Sequence, residues 1–318
     1  MSPDDGTVAG TGEFALIDAV IAGRRQPAAT LLGPGDDAAV VAAPDGRVVA
    51  STDVLVHGVH FRLDWSSPEQ VGRKAAAVNL ADIAAMGARP SSLLAGIACP
   101  PDTPTEVITE LAKGMWAEAE RAGVGVSGGD MVRADQLVIS VTALGDLGGR
   151  EPVTRSGARP GDVVAVCGKL GWAAAGLAVL GRGFRSPVGV VNAQRCPEPP
   201  YEAGPLAADA GATSMIDVSD GLLADLGHIA EASGVGIDIR TADLDVASRL
   251  VEVGTALGAD PLRWVLTGGE DHALAATFPP FGDPPEGWRA IGAVTIAESG
   301  VTVDGKPYQH EPGWEHWR

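Results

Sequence analysis

The sequence predicts a two-domain protein of the α/β class (α+β type), and three features carry that expectation. At 318 residues the chain is longer than one average domain. Short β-branched runs alternate with longer, Ala-rich stretches of helical spacing, the pattern of mixed helix and sheet. Gly148-Gly149 then marks a boundary ahead of a basic loop, which divides the chain into 1–148 and 149–318.

Composition narrows the function. An apolar content of 45% supports a sizeable core. Forty-one acids against 23 bases give a net charge of -18, which argues against non-specific nucleic-acid binding and anionic membrane surfaces. A phosphate substrate remains open if metal ions mediate. Cys99, Cys167 and Cys196 are odd in number and widely spaced, so they read as small buried thiols. Met1 to Gly12 lacks a basic n-region and an apolar h-region, and no long uncharged apolar run follows, so a cytoplasmic protein is expected.

Residues 1–11 read as a loose tail. Glu13–Ala22 reads as a helix, with Phe14, Ile17 and Ile21 at helical spacing and Gly23 to end it. From Gly33 to Phe61, two β-branched runs flank Pro44-Asp45-Gly46, a hairpin signal. The first run begins with Asp36-Asp37 in a Gly/Pro loop, and the second carries Ser51-Thr52-Asp53. If these strands pair, the carboxylates approach and repel unless a cation or proton lies between them. A hard cation such as Mg²⁺ suits such oxygens. The alternative is that Asp36 and Asp37 are turn residues.

Pro68–Met86 is the clearest helix, with Pro68 in the first turn, Gly87 at C′ and Pro90 beyond. Asn79 and Asp82 share one face among Ala76, Val78, Leu80 and Ile83, so Asp82 reads as a ligand or a buried hydrogen-bond hub. A strand over 92–98, a helix over 105–122 and a strand over 124–127 lead to Gly128-Gly129-Asp130. Paired glycines before an acid let backbone approach a phosphate or metal, although a simple turn has the same letters. Another strand covers 137–144.

In the second half, a basic loop from Thr154 to Asp162 enters a strand over 163–167. Gly168-Lys169-Leu170-Gly171 fails the Walker spacing and reads as a close strand–helix turn. Residues 181–205 read as a long irregular connection. Met215–Leu222 sets Asp217, Ser219 and Asp220 at a strand-to-helix junction, where capping accounts for one polar residue but not all. Val235–Ile239 reads as a strand. Trp264–Thr267 reads as the end of another strand, before the turn Gly268-Gly269-Glu270-Asp271-His272. The last strands lie near 290–296 and 301–303.

Carboxylates at strand ends or beside glycines therefore recur at Asp36, Asp37, Asp53, Asp82, Asp130, Asp217 and Asp220. Their repetition in both halves points to a multi-metal site for a polyphosphate. His60 and His272 read either as acid–base groups or as structural and substrate-contacting residues.

In order and combination these motifs resemble the thiamine-monophosphate kinases over nearly the whole chain, from Gly12-Glu13-Phe14 to Trp314. The segments that carry the resemblance are Gly33-Pro34-Gly35-Asp36-Asp37, Ser51-Thr52-Asp53 with His60-Phe61, Asn79 to Ala88, Gly128-Gly129-Asp130, Thr154 to Ala158, Asp217 to Leu222 and Gly268 to Asp271. The resemblance implies a two-domain fold like aminoimidazole-ribonucleotide synthetase, with the N-terminal strands forming a homodimer interface. It implies ATP-dependent, Mg²⁺-assisted phosphorylation of thiamine monophosphate to thiamine diphosphate, the last step of that cofactor's biosynthesis. Carried over by motif, Asp37, Ser51, Thr52, Asp53, Asp82, Asp130, Asp217 and Asp220 surround Mg²⁺. Gly129, Asp130, Arg155 and Ser219 contact ATP. His60, Glu270 and Trp314 contact the thiamine phosphate, although many relatives carry another aromatic in place of Trp314. The acceptor is already an ionised phosphate, so no general base or covalent residue is expected. Two rivals stand beside this reading: a superfamily cousin that activates an amide or selenium donor, and a non-catalytic nucleotide or cation binder. The absence of Cys from residues 1–32 counts against a selenium enzyme.

Overall fold

The computed structural model describes residues 6–34, 38–281 and 284–314. The chain divides into two compact units, Met1–Ile83 with Pro90–Gly148, and Ala84–Arg89 with Gly149–Arg318.

The first half runs α1 (Val8–Thr11), α2 (Glu13–Ile21), β1 (Thr30–Leu32), β2 (Val40–Val41), β3 (Val49–Val56), α3 (Pro68–Ala85), β4 (Arg89–Cys99), α4 (Thr105–Arg121), β5 (Val126–Arg133) and β6 (Val138–Asp146). Its main sheet has the order β3-β6-β4-β5. β3 and β6 are antiparallel, with Thr52 opposite Thr142. β4 and β5 are parallel. α3 and α4 meet backbone to backbone at two glycines. A Cβ on Gly72 would lie 1.8 Å from the Leu111 carbonyl oxygen, and one on Gly114 would lie 1.8 Å from that of Glu69. Around this crossing Val71, Ala75, Ile108, Leu111 and Met115 are buried.

The expected hairpin does not form. β2 pairs with β1, whereas β3 pairs with β6. β6, nine residues long, pairs with all eight residues of β3, and β2 is only two residues long. The tail expected to be loose contains α1, with Thr7 Oγ1 accepting from the Gly10 N–H as its N-cap. Gly128-Gly129-Asp130 is not a turn but lies inside β5.

The second half runs β7 (Val163–Cys167), α5 (Trp172–Gly181), α6 (Val188–Arg195), α7 (Ala203–Asp209), β8 (Ser214–Val218), α8 (Leu222–Ser233), β9 (Gly236–Ile239), a 3₁₀ turn (Thr241–Asp243), α9 (Ser248–Leu257), α10 (Pro261–Thr267), β10 (Ala273–Phe278), β11 (Arg289–Thr295), β12 (Gly300–Val303) and β13 (Lys306–Pro307). The sheet order is β13-β12-β9-β11-β7-β10-β8. Met215, Leu274, Phe278 and Trp288 lie in its core, with the Phe278 and Trp288 rings 5.4 Å apart edge to face.

Two expectations fail here. The stretch 181–205 holds α6 and the start of α7 instead of an irregular connection. Trp264–Thr267 ends a helix, α10, not a strand. Asp260 caps that helix through the Leu262 N–H, and Pro261 occupies its first position. The strand begins later, at Ala273. No helix among the described residues is long and apolar enough to cross a membrane.

Candidate active site

In the first unit, the pleat of β3 sorts the Ser51-Thr52-Asp53 run. Alternate residues face opposite sides of a strand. Ser51 and Asp53 are half-buried, whereas Thr52 is exposed on the other side. Ser51 Oγ donates to Asp82 Oδ2 at 2.6 Å. Asn79 is fully buried, accepts from the Asp53 N–H at 2.8 Å and donates to the Ala75 carbonyl at 3.0 Å. The shared face of Asn79 and Asp82 thus locks α3 to β3 and holds Ser51, Asp53 and Asp82 together. Thr52 does not join them. Its hydroxyl donates to the Val141 carbonyl at 3.0 Å and accepts from Thr142.

Asp130 stands on β5, at the opposite edge of the sheet from β3. Three strand spacings separate those edges, about 14 Å. Asp130 is exposed, and its Oδ1 accepts from the Met131 N–H. Gly129 is required by the sheet, because a Cβ there would lie 2.1 Å from the Ala95 carbonyl oxygen on β4. Beside β5 lies a cavity of about 1210 Å³, walled by Ile17, Leu94, Met115 and Trp116 and bordered by Gly129 and Asp130. His60 follows β3. Its Nδ1 accepts from the Val56 N–H at 3.0 Å, and buried Lys74 donates to its carbonyl at 3.3 Å. The neutral ring therefore carries its proton on Nε2. Asp36 and Asp37 lie outside the described residues.

The second unit gathers its candidates closely. Asp217, on β8, is buried and 3.0 Å from His272 Nδ1. An ionised carboxylate only accepts, so His272 donates from Nδ1. The following loop is joined to the 268–272 loop through the backbone. The Glu270 N–H reaches the Ser219 carbonyl at 2.7 Å, and the His272 N–H reaches that of Val218 at 2.9 Å. Glu270 and His272 both have positive φ, 70° and 50°, a left-handed conformation uncommon outside glycine. Trp314 donates its N–H to the Asp220 carbonyl at 3.0 Å while 62% of the residue stays exposed. Arg155 is exposed and follows Thr154, whose carbonyl accepts from the Met215 N–H. That pairing lies two residues before Asp217, about 7 Å along the strand.

Two buried carboxyls that the sequence reading missed support these loops. Asp225 Oδ2 accepts from the Asp220 and Gly221 N–H groups at 3.1 and 3.0 Å. Burial, and then the charges of Asp217 and Asp220, push its pKa up to about 8. Asp271 accepts from the Gly171 and Ala173 N–H groups, which ties the 268–272 loop to the start of α5. Burial pushes its pKa up to about 7 against those bonds. An acid in the first helical turn was the available signal for Asp225; nothing in the spacing marks Asp271 as a cap for a helix a hundred residues away.

Among the described residues, no group of three or more His, Cys, Asp or Glu side chains is arranged to hold a metal ion by itself. The donor chemistry nevertheless fits a hard cation. In the first unit Ser51, Asp53 and Asp82 offer only oxygen, and in the second unit Asp217 and Asp220 do the same; the charges of Asp217 and Asp220, which add to the effect of burial at Asp225, are what a cation bound there would relieve.

The descriptions "AIR synthase related protein, N-terminal domain" and "C-terminal domain" match residues 35–147 and 159–265. Thiamine-monophosphate kinase from Mycobacterium tuberculosis (strain H37Rv) is 54% identical over 317 residues, 99% of this chain and 94% of that protein. The chain belongs to the thiamine-monophosphate kinase family. Its fold agrees with that of the family. The crystal structure of thiamine-monophosphate kinase from Stenotrophomonas maltophilia K279a superposes with a TM-score of 0.81 at 32% identity, covering 93% of this chain and 98% of that one. A structure of AaThiL complexed with AMPPCP and TMP superposes with a TM-score of 0.80 at 33% identity, covering 96% and 97%. The two-domain AIR synthase-like fold expected from the motifs is therefore the fold observed.

Proposed function

We propose that this protein transfers the γ-phosphoryl group of ATP to the phosphate of thiamine monophosphate, giving thiamine diphosphate and ADP. The observation that carries the reading is its full-length likeness to thiamine-monophosphate kinases. Release of ADP that depends on added thiamine monophosphate tests it. ADP release indifferent to that acceptor, or none at all, would overturn it.

The chain's own residues divide the work. Ser51, Asp53, Asp82 and Asp130 from the first unit, with Asp217 and Asp220 from the second, are assigned to Mg²⁺. Asp37 completes the assignment by motif alone. Thr52 is kept only through its backbone, because its hydroxyl is turned to the opposite side of the sheet. Held by these residues, Mg²⁺ would supply charge neutralisation for the transferring phosphoryl group. Gly129 and Asp130 border a cavity suited to part of ATP, and Arg155 and Ser219 are assigned to its phosphates. His60, through its Nε2 proton, and Glu270 are assigned to the thiamine phosphate. Positioning and charge screening suffice for direct in-line transfer, so His272, committed to Asp217, need not move a proton.

The exposed indole of Trp314 sits on a backbone anchored at Asp220. It is assigned to stack on the cationic thiazolium ring, a contact worth roughly 0.5–2 kcal/mol. Trp314→Ala is expected to raise KM for thiamine monophosphate about two- to thirtyfold. KM for ATP and Tm hold, because the anchoring bond is made by the backbone. An unchanged KM for thiamine monophosphate would return Trp314 to an anchoring role.

The protein is assigned to the cytoplasm as a homodimer without nucleic-acid or membrane partners. Val54 on edge strand β3 and Val132 on edge strand β5 are half exposed, which suits burial against a second copy. A monomeric mass at micromolar concentration with full activity would contradict the dimer.

A further inference from the structure

Ser233 is the last residue of α8, at the opposite end of the helix from the Ser219–Gly221 loop. Its hydroxyl nevertheless makes three hydrogen bonds to one stretch of loop. It accepts from the Gly157 N–H at 3.1 Å and the Ala158 N–H at 3.2 Å, and it donates to the Arg155 carbonyl at 3.1 Å. One donor and two lone pairs are all that a hydroxyl has, so Ser233 is fully committed to this loop.

The other side of the loop is equally constrained. Thr154 accepts from the Met215 N–H through its carbonyl, and its Oγ1 donates to the Ser156 carbonyl at 2.8 Å. Gly157 has φ of 149°, and a Cβ on it would lie 2.2 Å from the Thr213 carbonyl oxygen. The backbone around Arg155 is thus pressed against the start of β8 and held from the helix side by a single hydroxyl. Among the described residues the Arg155 side chain pairs with no carboxylate, although the chain carries 41 acids.

We propose that Ser233 is a positioning residue for nucleotide binding, acting by fixing the backbone that aims Arg155. The inference rests on the assignment of Arg155 to ATP. It also gives α8 two roles: its first turn holds the Ser219–Gly221 loop through Asp225, and its last residue holds Arg155. One helix therefore sets the spacing between the carboxylate loop and the arginine.

The test measures KM for ATP and for thiamine monophosphate, kcat and Tm in S233A, S233T, R155A and the S233A/R155A double variant. Ser233→Ala is expected to raise KM for ATP about three- to tenfold, in line with the loss of three hydrogen bonds to a largely exposed loop, where water replaces part of what is lost. KM for thiamine monophosphate stays within twofold, S233T restores the wild-type value, and the double variant is no worse than R155A. An unchanged KM for ATP in S233A, while R155A raises it, overturns the role of Ser233 and leaves the Arg155 assignment standing. An unchanged KM for ATP in R155A overturns both. Additive losses in the double variant, or a parallel rise of both KM values with falling Tm, overturn the positioning role in favour of a structural one. Hydrogen exchange on the wild-type protein checks the clamp directly. Slow exchange at the Gly157 and Ala158 amides is expected, and exchange at unprotected rates contradicts it.

Discussion

Asp53→Asn and Asp130→Asn are each expected to lower kcat by about a hundredfold or more while Tm hardly moves. The sizes follow from what each carboxylate does. Charge stabilisation through a bound metal ion is worth several kcal/mol in the transition state, and each 1.36 kcal/mol is about tenfold in rate. Neither substitution is expected to cost much stability. Asp130 is exposed, and exposed charges contribute little to folding. Asp53 joins Asn79 through its backbone N–H, which an Asn keeps. Steady-state rates at ordinary and raised Mg²⁺, with a thermal melt of each variant, check this result. Near-normal turnover in either variant removes that residue from the metal set.

Gly129→Val is expected to lower stability by about 3 kcal/mol or more, because the added side chain meets main chain. The obstructing atom is the Ala95 carbonyl oxygen on β4. Backbone in a paired strand cannot swing aside, so β5 must leave β4, carrying Asp130 with it. At about 2–4 °C per kcal/mol for a protein of this size, Tm falls by roughly 10 °C, and activity falls with it. A melt within two or three degrees of wild type, taken by circular dichroism or calorimetry, would show that β5 has room to shift.

How much of this was legible in the sequence depends on how local each signal is. α3 was readable because Pro68, Gly87 and its apolar spacing lie within one segment, and the polar face of Asn79 and Asp82 is the one that meets β3 through hydrogen bonds. β7 was readable as a short apolar run before a glycine turn. Pairing was not: β3 chose β6, ninety residues away, over its neighbour β2. Gly128-Gly129 looked like a loop because turns and closely packed strands both need glycine. α6 and α7 were hidden by the prolines around them, and α10 by the β-branched and aromatic residues of Trp264–Thr267. In the site, Asp217, Ser219 and Asp220 were legible as one run. The residues that hold their surroundings, Asp225, Asp271 and Ser233, act across the fold, so no spacing announces them.

The most direct test of the central claim is the identity of the product. Purified protein is incubated with Mg²⁺, thiamine monophosphate and ATP labelled at the γ-phosphate, and the products are read by mass spectrometry and phosphorus NMR. The expected result is thiamine diphosphate carrying the label on its terminal phosphate, with one ADP formed for each. Labelled inorganic phosphate beside unchanged thiamine monophosphate would make the protein an ATPase and contradict the account.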